Sequence, residues 1–182
     1  MKGIVVDASI ALSWCFPDEQ TPLSMRVLDR LKAGVQVLVP AFWSVEVLNS
    51  LFDRRKKGRI SRSQTQAFLE DLRALRPTVD RISLEHVWGT VQTICRAHGL
   101  TPYDALYVEL AIRSQCPLAT LDQSQKNAGN ALTSAAYEPC WRSAPPTPQG
   151  SPSFVSYRRR GLREVECLGL GYGFRRQSEG LS

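Results

Sequence analysis

The stretch GIVVDASIALSWCF (residues 3–16) decides the fold, because it contains a strand, a sharp turn and a helix in direct succession. Residues 4–6 form a short β-branched run between Gly3 and Asp7, which is typical of a buried parallel strand. Residues 8–16 have the composition of a short helix, which Pro17 ends. A strand that passes directly into a helix indicates one unit of an α/β fold.

The same rhythm continues along most of the chain. Further strands are predicted at 35–39, 78–82 and 117–122, and helices at 23–31, 42–57, 61–75, 83–98, 101–114 and 123–132. Strands that alternate with helices favour a largely parallel sheet with helices on both faces and right-handed crossovers. Ligands of such folds bind at the carboxyl ends of the strands, so residues that directly follow a strand are the first candidates for a site.

Composition limits the class of protein. The 182 residues are 43% hydrophobic and 22% charged, which fits one globular domain. No run approaches the roughly 18 consecutive apolar residues of a membrane span, and Asp7 interrupts the segment where a secretion signal would be unbroken. The five cysteines include no Cys-x-x-Cys pair, so neither a zinc site nor a disulfide framework is indicated. We therefore expect a cytoplasmic protein.

The sequence changes character near residue 139. Residues 139–182 are rich in Pro, Ser, Gly and Arg and have no regular periodicity. This region also holds most of the net charge of +6, because residues 141–182 contain seven Arg and three Glu. The sequence therefore predicts a folded domain at 1–138 and a poorly ordered tail at 139–182. Overall basicity alone is then weak evidence for nucleic-acid binding.

Two of the predicted strands end in an aspartate. Asp7 directly follows the first strand, and Asp122 follows the strand that contains Leu118. Each could simply cap the next helix, with Ser9 adding a hydroxyl to the turn after Asp7. Together they also indicate a site, because the carboxyl ends of parallel strands meet at one edge of a sheet.

Two further acids lie on predicted helices. Glu46 lies in AFWSVEVLNSLF (41–52), where apolar residues surround most of the helix, and an unpaired buried carboxylate is costly. Asn49, one turn later, could hold Glu46; the alternative is an exposed polar stripe formed by Glu46, Asn49 and Asp53. Asp104 lies at the start of a helix after Thr101, so it suits the positive end of the helix dipole as well as a site.

Four carboxylates at one sheet edge would repel each other unless a cation lay among them. The nearby sequence offers no His or Cys at ligand spacing, and an all-oxygen set is preferred by Mg²⁺ or Mn²⁺ over zinc. Such ions generate hydroxide and stabilise the charge on a phosphodiester during in-line displacement. The sequence therefore predicts metal-dependent phosphodiester hydrolysis.

The motifs, in order, are IVVDAS (4–9), VEVLNSL (45–51), TPYDALYVELA (101–111) and LATLD (118–122). This set resembles the PIN domains, in particular the VapC-type toxins of bacterial toxin–antitoxin pairs, over about residues 1–135. The resemblance implies a PIN-like α/β/α sandwich of three layers with a central, mainly parallel sheet. It also implies an endoribonuclease that uses Mg²⁺ or Mn²⁺ to cut RNA.

The resemblance also assigns roles to residues. Asp7, Glu46, Asp104 and Asp122 would be the catalytic and metal-binding acids. Ser9 and Thr120 match accessory polar positions, which would orient the carboxylates through hydrogen bonds. The implied partners are the RNA substrate, an antitoxin protein across the acidic groove and a second copy in a homodimer.

Surface contacts are predicted from two further runs. Leu12, Trp14 and Phe16 on the first helix are candidates for antitoxin contacts, with burial in the core as the alternative. Arg54, Arg55, Lys56 and Lys57 are candidates for contacts with RNA phosphates, although such a basic run is also typical of a solvated helix end.

Two features depart from the family pattern or leave another function open. Gln125 and Asn127 stand where a more apolar or basic helix is expected, which predicts loose packing there. A PIN-like module that binds RNA or protein without catalysis remains an alternative. A phosphoacceptor domain or aspartyl-phosphatase is disfavoured, because Asp7 lacks a second acid two residues later.

Overall fold

The computed structural model describes residues 3–132, and it confirms the predicted α/β/α sandwich. Within these residues the strands are β1 (Gly3–Val6), β2 (Gln36–Pro40), β3 (Thr78–Asp80) and β4 (Leu118–Ala119). They form one parallel sheet in the order β3-β2-β1-β4. The interior strand β1 is entirely buried, as its β-branched sequence predicted.

The helices cover both faces of this sheet. They are α1 (Ala8–Cys15), α2 (Pro22–Lys32), α3 (Trp43–Lys56), α4 (Arg62–Ala74), α5 (Leu84–His86), α6 (Gln92–His98), α7 (Pro102–Ser114) and α8 (Gln123–Leu132). A 3-10 turn at Pro17–Glu19 follows α1, and a π-helical turn at Val87–Val91 separates α5 from α6. One continuous helix was predicted at 83–98, so this π-helical turn is a difference. The predicted tail at 139–182 and the domain boundary at 138 lie outside the described residues.

The strand order creates a topological switch point beside β1. β2 and β3 lie on one side of β1, while β4, the last strand, lies on the other. The backbone N–H of Asp7 donates to the carbonyl of Ala119 at 2.9 Å, so the residues that follow β1 and β4 are neighbours. Open parallel sheets bind ligands beyond the carboxyl ends of the strands at such a point.

The core has two parts that share α7. The larger cluster packs β1 and β2 against α1 to α4 and includes Tyr107 and Leu110 of α7. The smaller cluster packs α6, α7 and α8 around Val108 and Ala128. Since both clusters hold α7, the helix that carries Asp104 has a fixed position relative to the sheet.

Of the two predicted roles of Leu12, Trp14 and Phe16, contact with an antitoxin or burial in the core, the structure shows burial in the core. Leu12, Trp14 and Phe16 are 6%, 0% and 4% exposed, respectively, and all three belong to the larger core cluster. The indole nitrogen of Trp14 donates to the carbonyl of Ser24 at 2.9 Å, which anchors α1 to α2. These residues stabilise the fold instead of forming a free surface.

Helix α3 is less buried than its sequence predicted. Trp43, Val47 and Leu51, spaced four residues apart, form the buried stripe. The other apolar side chains of α3 face outward: Val45 is 67% exposed, Leu48 39% and Phe52 42%. Helix α3 therefore has two apolar faces and packs only one of them against the core.

An ion-paired triad ties α7 to the edge strand β3. The guanidinium of Arg113 donates to the buried carboxylate of Glu109 at 2.7 Å and to that of Asp80 at 2.6 Å. These bonds, that to Glu109 foremost, raise the pKa of Arg113 further above its usual range, so the guanidinium stays charged. No helix within residues 3–132 is long and apolar enough to cross a membrane.

Candidate active site

Asp7 lies at the carboxyl end of β1 and caps α1. Its Oδ2 accepts hydrogen bonds from the backbone N–H of Ser9 at 3.3 Å, from the Ser9 hydroxyl, and from the Thr120 hydroxyl at 3.0 Å. The residue is only 3% exposed. Burial raises the pKa of Asp7, and the bonds from Ser9 and Thr120 offset part of that rise. Capping and a role in a site are therefore compatible at this position.

Ser9 and Thr120 join the ends of β1 and β4. The Ser9 hydroxyl oxygen accepts from the backbone N–H of Leu121 at 3.0 Å, and the Thr120 hydroxyl oxygen accepts from that of Asp122 at 3.0 Å. Each hydroxyl also donates to Asp7. Both predicted accessory residues thus contact the acid that they were expected to orient.

Glu46 is held by a residue that the sequence did not reveal. The buried hydroxyl of Tyr107 on α7 donates to Oε2 of Glu46 at 2.6 Å. Asn49, which was predicted to help hold Glu46, is exposed, and the structure shows the hydroxyl of Tyr107 in contact with this carboxylate. Tyr107 lies one turn after Asp104 on the same helix, and a buried tyrosine hydroxyl usually finds a partner; that was the available signal.

Neighbouring acids shift the ionisation of Glu46. Partial burial raises its pKa most, the bond from Tyr107 lowers it, and the charges of Asp7 and Asp104 raise it again. The hydroxyl of Tyr107 itself has a raised pKa because of burial and the bond to Glu46, so it remains a proton donor. Asp7 and Asp104 are thus close enough to Glu46 for their charges to act on it.

Asp104 occupies the first turn of α7, as predicted. Thr101 caps the helix. Its hydroxyl oxygen accepts a hydrogen bond from the backbone N–H of Asp104 at 3.2 Å, and the same hydroxyl donates to Oδ2 of Asp104 at 2.7 Å. The other carboxylate oxygen, Oδ1, accepts from the amide of Gln125 at 2.9 Å. The carboxylate of Asp104 is thus held at both oxygens.

Asp122 has an exposed carboxylate, which accepts from the backbone N–H of Gln125 at 2.8 Å in the first turn of α8. Hydrogen bonds through Thr120 and Gln125 join it to Asp7 and Asp104. The predicted loose packing around Gln125 was wrong, since this side chain is 2% exposed. Because α8 contains many polar residues, nothing in the sequence indicates that Gln125 is buried or that Asp104 is its partner.

The chemistry of the donor set fits a hard divalent cation. Every candidate ligand is a carboxylate oxygen, which suits Mg²⁺ or Mn²⁺ better than zinc, and the mutual repulsion at Glu46 is what such an ion would relieve. No group of three or more His, Cys, Asp or Glu side chains within residues 3–132 is gathered tightly enough to hold a metal ion. The assignment of ligands therefore stays a prediction.

An aromatic cluster supports the site from the side of α3. The ring of Phe42 meets Tyr103 and Tyr107 edge to face, with centroid distances of 5.2 and 5.4 Å. Tyr107 is fully buried, whereas Tyr103 is 64% exposed beside Asp104. The cluster fixes the orientation of the Tyr107 hydroxyl toward Glu46.

The basic run at the end of α3 divides into two kinds of residue. Arg54 pairs with Glu19, and its guanidinium lies 4.5 Å from the ring centre of Phe16. Arg59 shares both contacts, so Arg54 is engaged within the protein. The other predicted RNA-contacting side chains, Arg55, Lys56 and Lys57, are exposed. For these three the contact with RNA stays a prediction.

Comparison with known proteins decides the family. The model of the PIN domain matches residues 4–131, from β1 to α8. The chain belongs to the PIN-domain family. The matched residues include all four predicted acids. The chain is also similar to Ribonuclease VapC3 of Pyrobaculum aerophilum. The two are 28% identical over 120 residues, which cover 66% of this chain and 89% of that protein.

Proposed function

We propose that this PIN domain is a metal-dependent endoribonuclease and the toxin of a toxin–antitoxin pair. The observation that carries the proposal is the hydrogen-bonded network that links acids from different elements: Thr120 contacts Asp7 and the backbone of Asp122, and Gln125 contacts Asp122 and Asp104. The charges of Asp7 and Asp104 also act on Glu46, and a divalent cation would relieve this repulsion. Similarity to a protein named as a ribonuclease supports RNA as the substrate.

Asp7, Glu46 and Asp104 would hold Mg²⁺ or Mn²⁺, with Asp122 at the margin. When bound, the ion would supply a hydroxide and stabilise negative charge on the phosphodiester. The chain's own contribution is orientation: Ser9 and Thr120 hold Asp7, and Tyr107 holds Glu46. Arg55, Lys56 and Lys57 are exposed and would bind RNA phosphates, which predicts affinity that falls steeply with salt.

A protein partner is supported by apolar surface away from α1. Val45, Leu48 and Phe52 of α3 and Val79 of β3 are all exposed. Val45, Leu48 and Val79 also line a cavity of about 380 Å³ between α3, α4 and the sheet edge. Exposed apolar surface of this kind is typical of protein interfaces. In our proposal an antitoxin and a second copy of the chain use such surface.

The nuclease activity is tested with purified protein and a mixed, structured RNA pool in Mg²⁺, Mn²⁺ or EDTA. We expect cleavage only with metal, and a loss of roughly 100-fold or more in Asp7→Asn and Asp104→Asn proteins whose circular dichroism is unchanged. Glu70→Gln is the matched control, because Glu70 is an exposed acid on α4 and belongs neither to the four acids nor to the basic run. Its cleavage should equal that of the wild type.

Calorimetry with Mn²⁺ separates the possible failures. A wild type that binds Mn²⁺ but cleaves no RNA would contradict the nuclease assignment and favour a binding module. A wild type that binds no Mn²⁺ would contradict the metal site itself.

For the toxin role, induced expression of the wild type in bacteria should arrest growth, and expression of the Asp104→Asn protein should not. Light scattering measures the mass of the protein in solution and so tests the proposed homodimer. A monomeric mass at micromolar concentration would contradict it.

A further inference from the structure

Gln125 is a buried polar residue that contacts two of the four acids. Its side-chain amide donates to Oδ1 of Asp104 at 2.9 Å, and its backbone N–H donates to Oδ1 of Asp122 at 2.8 Å. The side chain is 2% exposed and lies in the first turn of α8, which packs on α7. One residue therefore joins an acid on α7 to an acid that precedes α8.

A purely structural role does not explain this side chain. The backbone N–H that bonds to Asp122 is present in any residue except proline, so the glutamine side chain is not needed for the cap. Its Oε1 is buried and has no hydrogen-bond partner, which costs free energy. Since the neighbouring cluster of α6, α7 and α8 is apolar, an apolar side chain would fit this place at lower cost.

What the glutamine adds is control of the Asp104 carboxylate. Thr101 holds Oδ2 and Gln125 holds Oδ1, so rotation of the carboxylate is prevented from both sides. Hydrogen bonds from neighbouring groups to metal-binding side chains typically change metal affinity or activity about 10- to 100-fold. We propose that Gln125 is a positioning residue, which orients Asp104 and couples it to Asp122 for binding of a divalent cation.

This inference rests on the proposed function, since it assumes that Asp104 binds the metal. The test uses Gln125→Met, which keeps an unbranched side chain of similar length but removes the donor, and Gln125→Leu as a second apolar replacement. Gln123→Met is the matched control, because Gln123 is an exposed residue of the same helix whose amide donates to Asn127. Each full-length protein is melted in EDTA and then titrated with Mn²⁺ by calorimetry.

We expect the Gln125 variants to melt, without metal, at or above the wild-type temperature, because a buried unpaired oxygen is removed. Their affinity for Mn²⁺ should fall about 10-fold or more, while Gln123→Met changes neither quantity. A structural role alone would lower the melting temperature and leave the affinity of the folded protein unchanged.

Three results would overturn the inference. The first is Mn²⁺ affinity in both Gln125 variants equal to that of a wild type that binds the ion. The second is a markedly lower melting temperature in both variants, which would make Gln125 structural. The third is a wild type that binds no Mn²⁺; this result also overturns the proposed metal site, whereas the first two leave that site intact.

Discussion

The hydroxyl of Tyr107 lies 2.6 Å from Oε2 of Glu46 and joins two helices through residues that are 61 positions apart in sequence. Glu46 comes from α3 and Tyr107 from α7, which also carries Asp104. The bond therefore sets the position of one acid relative to another. It also offsets part of the rise in the pKa of Glu46 that burial causes, because a donor favours the charged carboxylate.

Removal of this hydroxyl should impair activity more than folding. We expect Tyr107→Phe to lose about 10-fold in RNA cleavage rate, because Glu46 loses its orienting donor. The free energy of unfolding should fall by about 1 kcal/mol, the usual value of one such bond. Cleavage kinetics and urea denaturation measure the two effects. Tyr103→Phe is the control, because that ring is exposed on the same helix; an equal loss in both variants would refute the assigned role.

The stability of the metal-free protein should depend on the charge of Asp7. Because burial raises its pKa above 3.8, the folded protein keeps a proton on Asp7 at pH values where the unfolded chain has lost it. Its contribution to stability is therefore complete below pH 3.8 and is lost as the pH rises through the raised pKa.

Asp7→Asn removes this dependence. In EDTA, the melting temperature of the variant relative to that of wild type should rise between about pH 4 and pH 7. Saturating Mn²⁺ should then stabilise the wild type but not the variant. Thermal melts across this pH range make the comparison, and parallel curves for the two proteins would contradict the assigned shift.

The four acids should not contribute equally to activity. Asp122 is exposed, and its charge is not among those that act on Glu46, whereas Asp104 is one of them. We expect Asp104→Asn to lose roughly 100-fold in cleavage rate and Asp122→Asn about 10-fold. The amide oxygen introduced by Asp122→Asn would still accept the bond from the backbone of Gln125, so α8 should remain folded. Single-turnover kinetics measures the cleavage rate of each variant. A larger loss of rate in Asp122→Asn than in Asp104→Asn would contradict this ranking.

The Glu109–Arg113–Asp80 triad should matter for stability and not for cleavage. Arg113→Ala leaves Glu109 buried without its cation, which typically costs roughly 3–5 kcal/mol in a fully buried pair. Since Arg113 is 36% exposed, we expect a smaller loss of about 2 kcal/mol. Chemical denaturation measures it, with exposed Arg62→Ala as the control.

A double variant separates ion pairing from side-chain packing. Arg113→Met with Glu109→Leu removes both charges and should recover most of the lost stability. No recovery would mean that Arg113 acts through its packing alone.

The strands show what the sequence could predict of the fold. β1 is an isolated β-branched run between Gly3 and Asp7, and the prediction of its buried parallel position is confirmed. β3 and β4 are shorter than predicted, at Thr78–Asp80 and Leu118–Ala119. Apolar runs reveal which residues are buried, but hydrogen bonds to neighbouring strands decide where pairing ends.

The site was predictable only where topology determines it. Asp7 and Asp122 follow strands, so a parallel sheet brings them to one edge whatever the details of packing. Tyr107 and Gln125 contact acids that are 61 and 21 residues away, so no local pattern identifies these partners, even though the position of Tyr107 one turn after Asp104 is a signal that it belongs near the site. Helical spacing predicts only neighbours along one helix, such as Asn49, whereas the donor to Glu46 lies on α7.

The short pairing of β4 affects the order in which segments of the protein unfold. β4 pairs with β1 at only two positions, yet the chain that follows it supplies Thr120, Asp122 and Gln125 to the site. Local opening of a segment with so few ladder bonds requires less free energy than global unfolding. Amide hydrogen exchange should therefore be faster in β4 and α8 than in β1, and heat should inactivate the enzyme before the sheet melts.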